Sequence, residues 1–410
     1  MPEKLKGFRD FYPEDQEIRR EIFETMMEEC RRFGFREVDG PSIESVDLYA
    51  HKSGEEIMGQ MFNFIDKGGR EVTLVPEFTP TLARMVAFRK DLIKPLKWYT
   101  LAKFWRYEEP QSGRFREFYQ LNADILGSDS LHADVEVLNL AGSIMKGLGL
   151  GNKVKLKMSS RTLLDDIIKY LNIEKKESLY YLLDRWIKIS DKEKDSLISE
   201  IGISKENLEL IVTGKIIEEL KSPNLDRLIK IMDEFNEYGT IKIELDLKIV
   251  RGLAYYTSTV FEIWDLDEKM RAIMGGGRYD NIISQMNGDY TPAVGFGMGD
   301  AVVENLLKRE GLWYEKEKKR VFISIADDKG RKYSYYVSKK LRESGIMVDL
   351  NVTERNLGKQ IEYAAKMGFK YSIILGEREF TNKIISIRDL ITGEQFSMNL
   401  EDAIIELKNS

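Results

Sequence analysis

Three arginines, Arg106, Arg114 and Arg116, surround a Pro-x-x-Gly turn in the stretch FWRYEEPQSGRFREFYQ, residues 104–120. Guanidinium groups stay charged and present forked donors that match phosphate oxygens, so this cluster is suited to clamp a polyphosphate. Read with a period of two, Arg106 and Glu108 share one face of the first run, and Trp105 and Tyr107 share the other. In the second run Tyr119, Leu121, Ala123 and Ile125 make an apolar face, while Gln120, Asn122 and Asp124 make a polar one. Glu108, Gln120 and Asp124 are suited to accept hydrogen bonds from amines or hydroxyls of a small molecule. The same pattern, taken alone, also describes an ordinary half-exposed hairpin.

Further stretches place polar groups where a plain core has none. In LVPEFTPTLAR, Glu77 and Thr79 lie two apart and point the same way on an extended chain; equally, Thr79 caps a helix with Pro80 at its first position. In IVRGLAYYTSTVFEIW, Arg251 precedes a glycine and the pair Tyr255 and Tyr256. On an extended backbone those rings point to opposite faces, so at most one is plain core. Arg251 by itself also reads as a surface ion pair. MGGGRYDNII and PAVGFGMGDAVVENLL carry glycines that permit positive φ or close backbone approach. Lacking the strand, helix and acid of a dinucleotide fingerprint, they read as a tight strand packed against a helix.

These residues need a large scaffold. A chain of 410 residues, 42% of them hydrophobic, exceeds one core and suggests roughly two to four domains. No apolar run reaches the ~18 residues of a membrane span, and the N-terminus MPEKLKGFRD lacks the apolar segment of a secretory signal. The single cysteine, Cys30, fits a reducing compartment, which suggests the cytoplasm. His51 and His132 have no nearby Cys or His partner, so no protein-built metal site is expected. A net charge of −6 argues against a surface coated in positive charge for nucleic acid, without excluding a local basic patch.

Helical spacing of Ile18, Ile22, Phe23, Met26 and Met27 predicts a helix over 14–33, and another is expected over 131–147. GFREVDGPSIES reads as a short strand broken by Gly40 and Pro41. Between about 160 and 238, Lys, Glu, Leu and Ile in helical patterns indicate a helical insert. Alternation returns in IKIELDLKIV, with Ile241, Ile243, Leu245, Leu247 and Ile249 on one side. After the basic stretch YEKEKKR, strands and helices alternate: VFISIA, a helix to Gly345, IMVDLNV, a helix to Gly368, YSIILG, KIISIRDL and a final helix from Leu400. That spacing predicts a small α/β domain with a mostly parallel core, behind a larger α+β part.

In this order the stretches resemble the histidyl-tRNA synthetases, class II aminoacyl-tRNA synthetases. KGFRDFYPED is similar to the family's opening, GFREVDGPSIES to motif 1, FWRYEEPQSGRFREFYQ to motif 2 and VRGLAYYTSTVFE to the histidine-specific signature. GGGRYD and AVGFGMG match the region leading into motif 3, and NLGKQIEYAAKMGFKYSIILGERE resembles an anticodon-binding domain. The resemblance implies a class II antiparallel sheet with flanking helices, a helical insertion and a C-terminal α/β anticodon-binding domain. The parts would be 1–158 and 240–312 for the catalytic domain, 159–239 for the insertion and 320–410 for the anticodon-binding domain. It implies that histidine is activated with ATP and Mg2+ and passed to tRNA(His) by a cytoplasmic homodimer with no membrane attachment.

By resemblance, Arg106 would contact the α-phosphate and the amino-acid carboxylate, Glu108 the adenine end, and Arg114 and Arg116 the outer phosphates. Gln111 would lie near the 5′ extra guanosine of the tRNA. Glu77, Thr79, Gln120, Asp124, Tyr255, Tyr256 and Tyr279 would line the histidine pocket, and Arg251 would neutralise the reacting phosphate. Two departures stand out. Motif 3 ends in Gly-x-Glu-Arg in the family, but here Gly299-Asp300-Ala301-Val302 carries no arginine. Ala254 also replaces a common Asp in the signature. The alternative reading is a non-catalytic paralogue, the histidine-sensing regulatory subunit of ATP phosphoribosyltransferase.

Overall fold

Alternation makes the hairpin the spine of a large sheet. The structure, a computed structural model, describes residues 3–50, 54–186, 189–250, 255–314 and 320–409. Leu96–Trp105 and Glu117–Leu126 pair antiparallel from Leu96 opposite Leu126 to Trp105 opposite Glu117. The first strand stops at Trp105, so Arg106 and Glu108 lie just beyond its end. Among the described residues the sheet has eight strands. Their order is Arg36–Glu37, Leu96–Trp105, Glu117–Leu126, Ala293–Gly299, Met274–Arg278, Thr259–Asp265, Val154–Ser160 and Lys242–Leu245. The interior pairings are antiparallel, and the outermost strand at each end pairs parallel.

One face of this sheet is dry. Leu121, Ala123 and Ile125 pack in a single core with Val137, Leu138 and Ile144 of helix Leu131–Gly147 and with Met26 and Cys30 of helix Pro13–Arg32. Ser130 caps the former helix by accepting from the His132 backbone N–H. Among the described residues between 161 and 238 lie five α-helices, four of them started by serine caps at 160, 190, 204 and 222. Their buried leucines and isoleucines join the same core as the sheet.

The alternation read through Ile249 ends as a strand at Leu245, because Asp246 turns inward to an ion pair. Helix Thr79–Phe88 begins one residue earlier than expected: Phe78 is its cap and Thr79 its first residue. The glycine strand Ala293–Gly299 packs against helix Leu131–Gly147, as expected. Met274–Arg278 packs edge to edge between two strands, and its glycines serve close backbone approach without positive φ.

The chain divides into two compact units, Met1–Glu315 and Lys316–Ser410. Among its described residues the second holds a five-stranded sheet ordered Met347–Leu350, Arg320–Ile325, Tyr371–Leu375, Ile384–Asp389 and Gln395–Asn399. The first two pairings are parallel and the last two antiparallel, so its core is half parallel and not mostly so. Gln395–Asn399, rich in polar residues, escaped the sequence reading because little of it is buried. Among the described residues no helix is long and apolar enough to cross a membrane.

Candidate active site

The polar face of the large sheet floors a cavity of about 740 Å³. Its depth depends on missing side chains. Asp124 pairs with Gly295 and Asn122 with Gly297. A Cβ on Gly295 would sit 1.9 Å from Asp124 Oδ1, and one on Gly297 would sit 2.7 Å from Gln120 Nε2. Glycine on the neighbouring strand therefore lets both side chains lie across it into the cavity. Gln120 Nε2 donates to Asn122 Oδ1 at 2.9 Å. Asp124, 3% exposed, accepts from the Tyr279 hydroxyl. Burial pushes the Asp124 carboxyl up to about 7, with the Tyr279 bond opposing only in part. Burial beside that carboxylate pushes the Tyr279 phenol well above its usual range.

A second acid lies nearby. Glu77 is buried, and its Oε2 accepts from the Tyr255 hydroxyl at 3.2 Å. Thr79, at the start of its helix, lines the same wall. Tyr255 and Tyr256 both line the cavity with ring centroids 5.0 Å apart. The segment is not extended here, since Tyr255 sits in a turn, and both rings face the cavity as the resemblance implies. Tyr279 meets Tyr255 edge to face at 5.9 Å. The result is two buried carboxyls framed by three phenols, a setting that accepts hydrogen bonds from a cationic or N–H-rich ligand.

The mouth is cationic. Arg106 Nε donates to the Pro76 carbonyl at 2.9 Å, and its guanidinium lies 5.4 Å from the Phe118 ring centre. Arg114 Nη1 sits 2.8 Å from Glu108 Oε2, and both line the cavity. Arg116 does not line it; its Nε donates to the Glu108 carbonyl and its guanidinium stacks on Tyr107 at 3.9 Å. Gln111 stays in the exposed turn, bridged to Arg114. Arg251 and Ala254 lie outside the described residues. Glu77, Thr79, Arg106, Glu108, Arg114, Gln120, Asp124, Tyr255, Tyr256 and Tyr279 thus converge on one cavity.

Sequence reading missed several neighbours. Lys157, which lines one end of the cavity, bonds Asp246 at 3.0 Å and pairs with Glu268 at 2.7 Å. Its signal was a lysine inside the alternating run VKLKMSS. Arg278 is buried in three contacts of 2.7–3.0 Å to Asp134, and also donates to the Ser128 and Ser130 carbonyls. Asp300 collects Arg9 and Arg19, each at 2.8 Å, together with the Tyr119 N–H. Arg271 also reaches the cavity. Among the described residues no group of three or more His, Cys, Asp or Glu is arranged to hold a metal ion.

The chain matches the family model for histidyl-tRNA synthetase over residues 7–300 and that for an anticodon binding domain over 319–410. It is 42% identical over 420 residues to a histidine–tRNA ligase of Thermoplasma volcanium, covering 100% of this chain and 99% of the relative. The chain belongs to the histidyl-tRNA synthetase family. Among solved structures, the histidyl-tRNA synthetase of Nostoc superposes with a TM-score of 0.84 over 99% of both chains at 23% identity. A Bacillus halodurans protein, described as an ATP phosphoribosyltransferase regulatory subunit/histidyl-tRNA synthetase, gives 0.76 over 92% of this chain and 98% of its own at 21% identity. At those identities the two structures establish the shared class II fold.

Proposed function

We propose that this chain joins L-histidine to tRNA(His) in two steps, with the cavity as the site of both. The carrying observation is the pair of buried acids, Glu77 and Asp124, set among Tyr255, Tyr256 and Tyr279 below a rim of arginines. In the first step a histidine carboxylate oxygen attacks the ATP α-phosphorus and the bond to pyrophosphate breaks, leaving histidyl-adenylate. Both reactants are anions, so catalysis is chiefly alignment and charge neutralisation. Arg106 is placed to neutralise the α-phosphate and the carboxylate, and Arg114 the outer phosphates. Arg116 belongs to the same cluster, oriented by Tyr107. Glu108 accepts from the adenine end.

Asp124 takes the α-amino group: a bound ammonium favours the carboxylate and reverses the burial that holds its pKa near 7. The tyrosine hydroxyls, Glu77, Thr79 and Gln120 hold the imidazole. Arg251 is assigned to the pentacoordinate phosphate, and its loss should cost about 10²–10³ in rate. In the second step a hydroxyl of the terminal tRNA ribose attacks the aminoacyl carbonyl and AMP leaves, with Gln111 beside the 5′ end of the acceptor. Mg2+ enters as the ATP complex. Segments 1–158 and 240–312 form the catalytic domain, 159–239 the insertion and 320–410 the anticodon reader. A cytoplasmic homodimer joined through the segment around Pro41 completes the proposal.

One observation favours a non-catalytic histidine sensor, namely Val302 in place of an arginine. The arginine rim weighs against it, since a sensor of histidine alone has no use for a polyphosphate clamp. ATP–pyrophosphate exchange, without tRNA, across the twenty amino acids separates the two readings. Exchange with histidine alone is the expected result. Silence with all twenty, together with histidine binding by calorimetry, refutes it.

A further inference from the structure

The helix that follows the floor strands, Asp300–Arg309, opens with Ala301 and Val302, both lining the cavity and neither cationic. The hairpin turn lies against Val302: a Cβ on Gly113 would come 3.1 Å from Val302 Cγ2. A cation reaches this corner from elsewhere. Arg271 lies three residues before Met274, and Met274 pairs with Met298, two residues ahead of Asp300. That register brings the 271 loop alongside the helix start, and Arg271 lines the same cavity.

Arg271 is half-buried, and it makes no hydrogen bond or ion pair with any described residue. This sets it apart from Arg106, Arg114, Arg116 and Arg278, all of which are held by carbonyls or carboxylates. Burial lowers its pKa, and the nearby Arg114 lowers it further, while Glu108 opposes both. Glu108 offsets the repulsion between the two guanidinium groups only in part, so a further anion beside them is favourable. The occupant that suits two guanidinium groups in a cavity of this size is a nucleoside triphosphate.

We propose that Arg271 supplies the cationic contact to ATP that Val302 cannot make, so that the nucleotide is gripped from the loop before the glycine strand and not from the helix after it. This rests on the synthetase reading and extends it by one residue. Two variants test it, Arg271→Gln and Arg271→Lys, in pyrophosphate exchange with histidine. Loss of a charge-assisted contact should raise the ATP KM of Arg271→Gln about tenfold to a hundredfold. The histidine KM, which also reports an intact fold, should stay within about twofold. Arg271→Lys should recover part of the loss, because it restores the charge without the fork. An ATP KM for Arg271→Gln within about twofold of wild type overturns the proposal, and so does a parallel rise in both KM values.

Titration of Mg–ATP into each protein without amino acid keeps the two readings apart. If the wild type binds ATP, Arg271→Gln does not, and exchange is silent for both, then the Arg271 contact stands and the catalytic reading falls. Equal ATP binding by the two proteins, or none by the wild type, overturns the contact.

Discussion

Replacing Asp124 by asparagine should stabilise this protein while impairing it, and the two effects can be sized. The carboxyl is 3% exposed, and its pKa stands at about 7 instead of 3.8. That displacement corresponds to roughly 4 kcal/mol against the charged form. Between these values the folded protein keeps a proton that the unfolded chain has released, so the contribution of this site falls as pH rises from about 4 to 7. An asparagine shows no such decline, and its Oδ1 still accepts from Tyr279. The stability difference, variant minus wild type, should therefore grow by roughly 2–3 kcal/mol between pH 5 and pH 8. Any fixed cost of the amide cancels from that growth. Urea unfolding of both proteins at four pH values, without histidine, measures it. In pyrophosphate exchange the variant should raise the histidine KM about tenfold to a hundredfold, the loss of one charge-assisted bond to the ammonium. A stability difference that does not change with pH refutes the buried ionisation, and an unchanged histidine KM refutes the role of Asp124.

Gly295→Ala should disturb the floor directly, since its Cβ would lie 1.9 Å from Asp124 Oδ1 and 2.7 Å from the Ala123 carbonyl. The backbone clash cannot be relieved by a rotamer, so a loss of about 1–3 kcal/mol is expected in denaturant unfolding, together with a raised histidine KM. Gly299→Ala is the control: nothing lies within 4 Å of its Cβ, and its stability should match wild type. Arg278→Met should cost about 3–5 kcal/mol in the same measurement, because it strips the main partner from Asp134, whose side chain is 1% exposed. Cys30 is fully buried and its thiol is pushed up to about 12 by that burial. It should resist a thiol-alkylating reagent at pH 8 in the native protein and react once urea unfolds the chain, as followed by mass spectrometry.

The hairpin and its two faces were legible because strand alternation is a local property: Leu121, Ala123 and Ile125 did go to the core and Gln120 and Asp124 to the cavity. Helix limits over 131–147 were legible for the same reason, with a serine cap ahead of a 3.6-residue apolar repeat. The resemblance of ordered motifs carried the family, since each motif preserves a local backbone shape. The family resemblance put Tyr255 and Tyr256 in one pocket, and both line the cavity; strand alternation did not apply to them, because Tyr255 sits in a turn.

By itself, then, the sequence determined which segments alternate, which coil, and which polar residues face away from the core. The tertiary structure alone decided which of those residues meet. Asp124 reaches its cavity only because a glycine 171 positions later lies opposite it in the sheet. Arg271 comes alongside Val302 only through the pairing of Met274 with Met298. Both depend on strand register across long sequence separations, which a local pattern does not encode, because register is fixed by the packing of the whole sheet.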